Sequence, residues 1–166
     1  NITSSFIIFV KLFKKIKKSE KMPLERIMNE KTSADHLLYV SLKYTKTCDV
    51  MLNLIERWRS MIEICAEAIL DKLKWKRLIS KIPTAPKMKV MALREIFKKE
   101  EIVIKTLDVY EFFKKIPQLD KLREHEFRKN VCLTIIEGKE TRIDMDKLKE
   151  YAEIIEKFIK FVRGYL

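Results

Sequence analysis

Apolar residues recur at spacings of three and four along most of this chain, which is the pattern of helices with one buried face. After Asp49 the pattern continues to Leu73, and no proline interrupts it before Pro83. It therefore predicts one helix of roughly 30 residues, about 45 Å long, with Asp49 as the residue that caps its start.

The C-terminal segment has the most regular pattern of the chain. Its apolar residues follow a heptad-like seam: Met145, Leu148, Ala152, Ile155, Ile159, Val162 and Leu166. Asp144 is predicted to cap the start of this helix and Gly164 to end it. A seam of this length implies packing against other helices of a bundle, or against a second copy of the chain, so we expect a homodimer.

Local signals place the first and third helices. Thr32 and Asp35 form a variant of the capping box, with an acidic group three residues after a hydroxyl, and this predicts a short helix that begins there and ends near residue 46. Pro83 and Pro86 each disfavour helix at the preceding residue. The chain is expected to turn between these prolines and to start a third helix over residues 87–101.

The stretch between the third and the last helix is less regular. Residues 102–104 are β-branched and predict a short extended piece. Thr106 or Asp108 then starts a helical stretch that ends near residue 116. A fourth main helix is predicted over residues 118–137, with Gly138 as the glycine that follows its last turn.

Together these elements predict an all-α fold, an antiparallel helical bundle of about five main helices in a single domain over residues 23–166. The hydrophobic content of 47% is enough for one core, and the chain has only two glycines. Rossmann and P-loop phosphate sites and hairpin-rich β folds all need glycine where φ is positive or the backbone approaches a ligand. Those classes are therefore excluded.

Residues 1–22 differ in composition from the rest and form a basic amphipathic extension. They contain six lysines and one glutamate. Apolar and basic residues at helical spacing are Phe6, Phe9, Val10, Phe13 and Ile16, with Lys14, Lys17 and Lys18. Such a segment lies on an anionic membrane surface, or packs its apolar stripe on its own domain or a protein partner. A third interpretation is translated upstream sequence, since Met22 followed by Pro23 would make a natural start.

The cysteines indicate the compartment. Cys48, Cys65 and Cys132 lie far apart without a CxxC pair, so neither a disulfide framework nor a zinc knuckle fits, and we expect a reducing, cytoplasmic location. The longest apolar run, residues 6–10, is too short for a bilayer span, and no signal peptide is predicted. Abundant Lys, Glu and Ile with a single glutamine are typical of hyperthermophile proteins and indicate a thermophilic archaeon.

Residue types that carry catalysis are scarce. His36 and His125 are the only histidines, and no cluster of His, Cys or paired carboxylates indicates a general base or a nucleophile. His125 and Cys132 share a face of the predicted fourth helix, but two ligands do not make a metal site. The sequence thus predicts no metal and no cofactor and favours a non-enzymatic role.

Positive charge is the most informative functional signal. The net charge is +12, and +7 remains when residues 1–22 are set aside. Basic clusters attract phosphate polyanions and gain affinity by releasing counterions, which indicates RNA or DNA as a ligand. The alternative is a solvated thermophile surface, with lysines favoured near helix C-termini by the macrodipole. The candidate nucleic-acid-binding residues are Lys72, Lys74, Lys76, Arg77, Lys81, Lys114, Lys115, Arg128 and Lys129.

Three segments carry a resemblance to a known family. They are the long helix over residues 55–69, aromatic and then rich in alanine and glutamate, the run Phe127-Arg128-Lys129-Asn130, and the closing amphipathic segment over residues 148–153. In this order they resemble the HEPN superfamily of small helical bundles, especially its divergent archaeal branch of paralogous repeat proteins. The resemblance covers about residues 34–164.

Active members of that superfamily resemble each other in an Arg followed four to six residues later by a His, on the helix before the last, and they cleave RNA as dimers. Arg128 and Asn130 fall where that motif would begin, but the His positions hold Leu133, Thr134 and Ile135. The resemblance therefore implies a non-catalytic member that binds RNA, a nucleotide or a nucleotidyltransferase-type partner, in a toxin–antitoxin or defence setting. The alternative function is a membrane-surface or protein-interaction adaptor that acts through the N-terminal extension.

Overall fold

A computed structural model describes residues 22–166 as a helical bundle that carries one small sheet. Helix accounts for 70% of these residues, in five helices, and the only sheet found within this range has three strands. The predicted all-α class and bundle architecture are confirmed. No helix within residues 22–166 has the length and apolar character needed to cross a bilayer.

The elements follow one another in this order. Helix α1 covers residues 22–36 and continues through a π-helical turn, Leu37–Ser41, and a last turn, Leu42–Tyr44. Then come α2 (Cys48–Trp75), α3 (Pro86–Ile96), α4 (Glu101–Lys115), a 3₁₀ turn (Ile116–Gln118), β1 (Asp120–Glu124), β2 (Cys132–Glu137), β3 (Lys139–Ile143) and α5 (Met145–Tyr165).

The long helix predicted after Asp49 is α2, with 28 residues. Its cap is Thr47 rather than Asp49, because the Thr47 side chain accepts a hydrogen bond from the backbone N–H of Val50. Asp49 lies in the first turn, where a carboxylate still favours the positive end of the helix dipole. The apolar stripe of α2 is buried along its whole length, from Met51 to Leu73.

Helix α5 begins as the sequence predicts, since the Asp144 carboxylate accepts a hydrogen bond of 2.8 Å from the backbone N–H of Lys147. Gly164 does not end it, because the helix continues through Tyr165. Four residues of the seam, Leu148, Ile155, Ile159 and Val162, are buried in the chain's own core. The chain therefore buries these seam residues itself and leaves no free surface there for a second copy. Homodimerisation stays a prediction.

The predicted start of the first helix is wrong. Residues 22–31 are already helical, so Thr32 and Asp35 lie inside α1 and do not cap it. The Thr32 hydroxyl donates to the carbonyl oxygen of Met28 one turn earlier, and the Asp35 carboxylate accepts from Lys31 at 2.6 Å. The two residues of the predicted capping box thus form hydrogen bonds with the preceding turn of a continuous helix.

The extended piece predicted at residues 102–104 is also wrong. Helix α4 runs without a break from Glu101 to Lys115, and Thr106, predicted as a possible start, is buried within it. Its hydroxyl donates a 2.7 Å hydrogen bond to the carbonyl oxygen of Ile102. The β-branched side chain of Val103 packs in the core, and this burial outweighs the modest preference of such residues for strands.

The fourth main helix predicted over residues 118–137 does not exist. This stretch forms β1, a loop and β2, and β3 follows after a tight turn at Gly138, whose φ is 71°. The strand order is β1-β2-β3 with both pairs antiparallel, so Glu124 lies opposite Cys132 and Leu133 opposite Ile143. Gly138 thus serves a strand turn and does not end a helix.

The core lies between α2, α4 and α5, and the sheet closes one side of it. Trp58 of α2 stacks on Phe113 of α4 with ring centroids 6.1 Å apart, and Phe113 meets Tyr151 of α5 edge to face at 5.0 Å. The β2 side chain Leu133 and the β3 side chain Ile143 belong to the same core. Since the start of α2 lies against β2, the loops of the sheet are held near this end of the bundle.

Candidate nucleic-acid interface

The structure divides the nine predicted basic residues among three places. Lys72, Lys74, Lys76, Arg77 and Lys81 lie at or just beyond the C-terminal end of α2, Lys114 and Lys115 lie at the end of α4, and Arg128 and Lys129 lie in the loop between β1 and β2. Cys48 at the start of α2 and Lys72 near its end are 24 residues apart, about 36 Å along the helix. The nine residues therefore do not form one surface.

Two residues of the first group contact the end of α5. The Lys72 ammonium donates a hydrogen bond to the carbonyl oxygen of Leu166, and it lies 4.9 Å from the centroid of the Trp75 ring. The Lys76 ammonium lies 4.4 Å from the centroid of the Tyr165 ring. Lys72 and Lys76 share a helix face, as their spacing of four requires, and this face is turned toward α5.

The direction of the helix dipoles explains why cations cluster at the C-terminal end of α2. The C-terminal ends of α2 and α5 lie side by side, so the negative ends of two helix dipoles meet here. Lys72 and Lys74 lie in the last turn of α2, and Arg163 lies in the last turn of α5. Cations at these positions stabilise the fold itself, so their clustering does not require a ligand.

Arg77 has a further structural role, because it closes α2. Its φ is 58°, and the N–H of Leu78 donates to the carbonyl of Leu73 while the N–H of Arg77 donates to the carbonyl of Lys74. This is the Schellman pattern of helix ends, in which glycine is the favoured residue at the left-handed position.

Replacing Arg77 by glycine should therefore stabilise the protein. An L-residue in the left-handed region costs about 1–2 kcal/mol, so we expect Arg77→Gly to raise the free energy of unfolding by about 1 kcal/mol. Urea denaturation followed by circular dichroism measures this change. The matched change Lys74→Gly, within the helix, should lower it by about 1 kcal/mol. Destabilisation by Arg77→Gly would show that the arginine side chain stabilises the fold by contacts that outweigh the strain.

The second group, at the end of α4, is partly neutralised. The Lys115 ammonium forms an ion pair of 2.7 Å with the carboxylate of Glu137, the last residue of β2. This ion pair also raises the pKa of Lys115. Lys114 is exposed and lies in the last turn of the helix, where the dipole favours a cation.

The third group, in the β1–β2 loop, lacks such partners. Arg128 and Lys129 are exposed, and neither side chain forms an ion pair or a hydrogen bond with any residue in 22–166. The nearby glutamates are engaged elsewhere: Glu124 with Arg142, Glu126 with Arg123, and Glu137 with Lys115. The i to i+4 pairs that a helix would have given these two cations do not form, because the segment is not a helix.

Three contacts fix the loop on the start of α2. The backbone N–H of Phe127 donates a 2.6 Å hydrogen bond to the carbonyl oxygen of Lys46. A carboxylate oxygen of Glu126 accepts from the N–H of Cys48 at 2.9 Å, and thereby satisfies a backbone donor of the first helical turn. At the base of the loop, Arg123 forms an ion pair of 2.8 Å with Asp49. The loop and the α1–α2 turn are thus joined into one surface.

This surface holds more cations than the sequence indicated. Lys43, in the last turn of α1, and Lys46, in the turn before α2, come beside the loop through the hydrogen bond of Phe127. Neither forms an ion pair with a carboxylate among the described residues. We call the residues of the turn and the loop the loop surface, which consists of Lys43, Tyr44, Lys46, Phe127, Arg128 and Lys129.

Sequence reasoning missed Lys43, Tyr44 and Lys46 as site residues, and it used Phe127 only for the family resemblance. The local signal was present, since both segments alternate basic and aromatic residues: Lys43-Tyr44-Thr45-Lys46 and Phe127-Arg128-Lys129. Their meeting was hidden, because it depends on a contact between residues that are about 80 positions apart along the chain.

One histidine and two cysteines lie in or beside the β1–β2 loop and the start of α2. His125, in the same loop, is exposed with a φ of 54°, whereas Cys132 is buried, so the two do not share a face as predicted. Burial and the neighbouring Glu126 carboxylate raise the pKa of the Cys48 thiol to about 11, which keeps it protonated at neutral pH. Within residues 22–166, no three His, Cys, Asp or Glu side chains are placed to hold a metal ion.

A cavity of about 160 Å³ lies between α2, α3 and α4. Its polar groups are paired with one another, since the Tyr110 hydroxyl donates to Glu63 at 3.0 Å and Lys89 binds Glu67 at 3.1 Å. The pairing leaves no charged group directed at a ligand. The apolar lining is Ile62, Ala66, Pro86, Val90, Leu93 and Leu107.

The predicted membrane or partner residues Phe6, Phe9, Val10, Phe13, Ile16, Lys14, Lys17 and Lys18 all lie outside the described residues. Comparison of the chain with models of protein families, with curated proteins and with solved structures finds no match.

Proposed function

We propose that this protein is a non-enzymatic helical module that binds nucleic acid through the loop surface. The observation that carries the proposal is the exposed pair Arg128 and Lys129, which has no ionic partner within residues 22–166. Four cations of this surface are held close together by the contacts of the loop with the start of α2. Such a group attracts phosphates and gains affinity by displacing their counterions.

Electrostatics inside the fold favour this surface over the end of α2. The cations at the C-terminal end of α2 offset helix dipoles and pack on aromatic rings. Arg128 and Lys129 lie at the opposite end, beside the start of α2, where the α2 dipole is positive and added cations are unfavourable to the fold. Lys43 and Lys46 lie at or just beyond the end of α1 instead, where the dipole favours cations, and the Lys46 ammonium donates a hydrogen bond to the carbonyl oxygen of Lys43. Arg128 and Lys129, which have no ionic partner within residues 22–166 and lie where the dipole disfavours them, are better explained by an external anion.

The resemblance to the HEPN superfamily is compatible with this proposal. Arg128 and Asn130, which match the start of the family's motif, lie in the β1–β2 loop, while Leu133, Thr134 and Ile135 lie on β2 rather than on a helix. With no histidine at those positions and a protonated thiol at Cys48, the proposed role is binding without RNA cleavage.

Charge reversal in the loop should weaken binding strongly. For Arg128→Glu with Lys129→Glu, we expect the affinity of the full chain for a short RNA to fall at least about tenfold at low salt. The slope of log affinity against log salt should fall by about 1.5, because each phosphate contact contributes about 0.7–0.9. Fluorescence anisotropy across a salt series measures both quantities.

The matched control is Lys74→Glu with Lys81→Glu, which makes the same change of charge at the other end of α2. This variant should keep most of the slope, because it leaves the loop surface intact. A larger loss with the control than with the loop variant would place binding at the end of α2. No binding of RNA or DNA by the unmodified chain at low ionic strength would exclude the proposed function.

A further inference from the structure

Two aromatic rings on the loop surface are more exposed than any other large apolar side chain within residues 22–166. The exposed fractions are 77% for Phe127 and 76% for Tyr44. An isolated exposed aromatic residue is common on protein surfaces. These two, however, stand among the four cations of the loop surface, and no other aromatic ring in the described part of the chain stacks on either of them. The Lys43 ammonium lies 5.6 Å from the centroid of the Tyr44 ring, near the outer limit of a cation–π contact, and no cation of the described residues lies over the Phe127 ring.

The two rings belong to one place on the molecule. The backbone of Phe127 is bonded to the carbonyl of Lys46, and Tyr44 is two residues before Lys46. At 3.8 Å for each Cα step, the Cα atoms of Tyr44 and Phe127 lie within about 14 Å of each other. Adjacent or next-adjacent bases of one strand span such a distance.

The backbone holds Phe127 outward at a cost. Its φ is 64°, and His125 two residues earlier has a φ of 54°, so two residues other than glycine occupy the left-handed region within one short loop. A bulky side chain is rare at such a φ, and the cost is of order 1–3 kcal/mol. Backbone and carboxylate hydrogen bonds to the start of α2 hold this conformation, whereas the Phe127 ring itself gains no burial from it.

From this arrangement we infer that the loop surface binds single-stranded nucleic acid, with bases stacked on Phe127 and Tyr44 and the phosphates held by Lys43, Lys46, Arg128 and Lys129. The inference rests on the proposed function and adds to it the form of the ligand. Exposed aromatic side chains between cations fit a single strand, because every base offers a flat face for stacking. In a duplex those faces are covered by neighbouring base pairs, so only the phosphates remain accessible to this surface.

Trp75, an exposed aromatic residue beside lysines at the other end of α2, is a weaker candidate for stacking. Trp75 is 59% exposed, but the Lys72 ammonium lies 4.9 Å from its ring centroid and is itself bonded to the end of α5. One face of the indole is therefore occupied from within the chain. This makes Trp75 a suitable internal control, since it has a similar environment at the opposite end of α2.

The test separates bases from phosphates by comparing an adenine oligonucleotide with an abasic one of equal length, about 12 nucleotides. The full chain should bind the adenine strand more tightly than the abasic strand. Phe127→Ala should reduce affinity for the adenine strand about five- to hundredfold and leave the abasic strand unchanged, since one stacked base contributes on that scale. Tyr44→Ala should act in the same direction, and Phe127→Trp should keep the preference for bases.

Three controls distinguish stacking from other causes. Phe127→Leu keeps an apolar side chain without a ring and should behave as Phe127→Ala does. Trp75→Ala should leave the preference unchanged, and the loop variant with Arg128→Glu and Lys129→Glu should weaken both strands equally. Equal binding of adenine and abasic strands by the unmodified chain would overturn the stacking inference while leaving phosphate binding in place. Failure to bind either strand at low salt would remove the proposed function as well.

Discussion

Replacing Ile155 by aspartate should unfold the protein. Ile155 lies at the centre of the α5 seam and is only 2% exposed, inside the core shared with α2 and α4. A carboxylate there would be buried without a partner, or would force α5 away from the core. We expect a loss of at least about 4 kcal/mol, which is most of the stability of a small domain, and circular dichroism with urea titration measures it.

The matched control is Lys157→Asp, two residues further along the same helix and exposed to solvent. It should change stability by less than about 0.5 kcal/mol, as surface substitutions usually do. A cooperative unfolding transition for Ile155→Asp near that of the unmodified chain would contradict the packing of α5 described above. Dissociation of a dimer without unfolding would instead show that the seam faces a second chain.

The helices with regular apolar spacing could be predicted from the sequence, and the reason is local. Over the 28 residues of α2 the same face is buried, so each additional turn repeats the same signal and strengthens the prediction. In α5 the cap at Asp144 and the buried Ile155 agree with the pattern for the same reason. Only the ends shifted, by one or two residues, where a single hydrogen bond decides the boundary.

The sheet could not be predicted in the same way, because its strands are short and contain residues that favour helix. Arg123, Glu124 and Glu126 favour helix in isolation, yet they lie in β1 and in the loop that follows it. The informative segment was β2, because it contains three β-branched residues in a row, Thr134, Ile135 and Ile136. Its residues 132–135 are all buried, so burial there shows no helical period. The scarcity of glycine misled as well, since the β1–β2 loop has positive φ at His125 and Phe127 and uses no glycine.

The candidate site could likewise be predicted only in part, because some of its residues meet through a contact between distant parts of the chain. Arg128 and Lys129 were predicted as binding residues from charge alone, and the structure adds that they lack internal partners within the described chain. The contribution of Lys43 and Tyr44 depends on the hydrogen bond between Phe127 and Lys46, which no local pattern encodes. Conversely, the densest basic cluster in the sequence, around Lys72 and Lys76, turned out to pack against the end of α5.

Alkaline pH should weaken the fold, and Cys65 should be the main cause. Its thiol is fully buried in α2, and this burial raises its pKa to about 12. Burial also raises the pKa of the Tyr151 hydroxyl to about 12. In the unfolded chain these groups titrate near about 8.5 and 10. Between those values and pH 12 the native state therefore holds more protons than the unfolded state, so the free energy of unfolding falls as the pH rises.

The expected size of this effect makes it measurable. The difference between the native pKa of Cys65, about 12, and its unfolded value of about 8.5 corresponds to on the order of 5 kcal/mol, at about 1.4 kcal/mol per pH unit. Tyr151 adds a smaller amount, since its pKa rises only from about 10 to about 12. Below pH 8 both groups are neutral in either state and contribute no pH dependence. Urea denaturation at intervals between pH 8 and pH 11 should show a progressive loss of stability.

Cys65→Ala should remove about half of the loss that begins near pH 8.5, because alanine cannot titrate in either state, and the rest comes from the Cys48 thiol, whose pKa is raised to about 11. The variant leaves a small void, so its stability at pH 7 should fall modestly, by about 1 kcal/mol. Ile62→Val is the matched control, since it removes buried volume from the same helix without removing a thiol. The control should lower stability by a similar amount at every pH and keep the alkaline slope of the unmodified chain. If Cys65→Ala also kept that slope, the thiol would be accessible to water in the native state, and the close packing of α2 in the core would be contradicted.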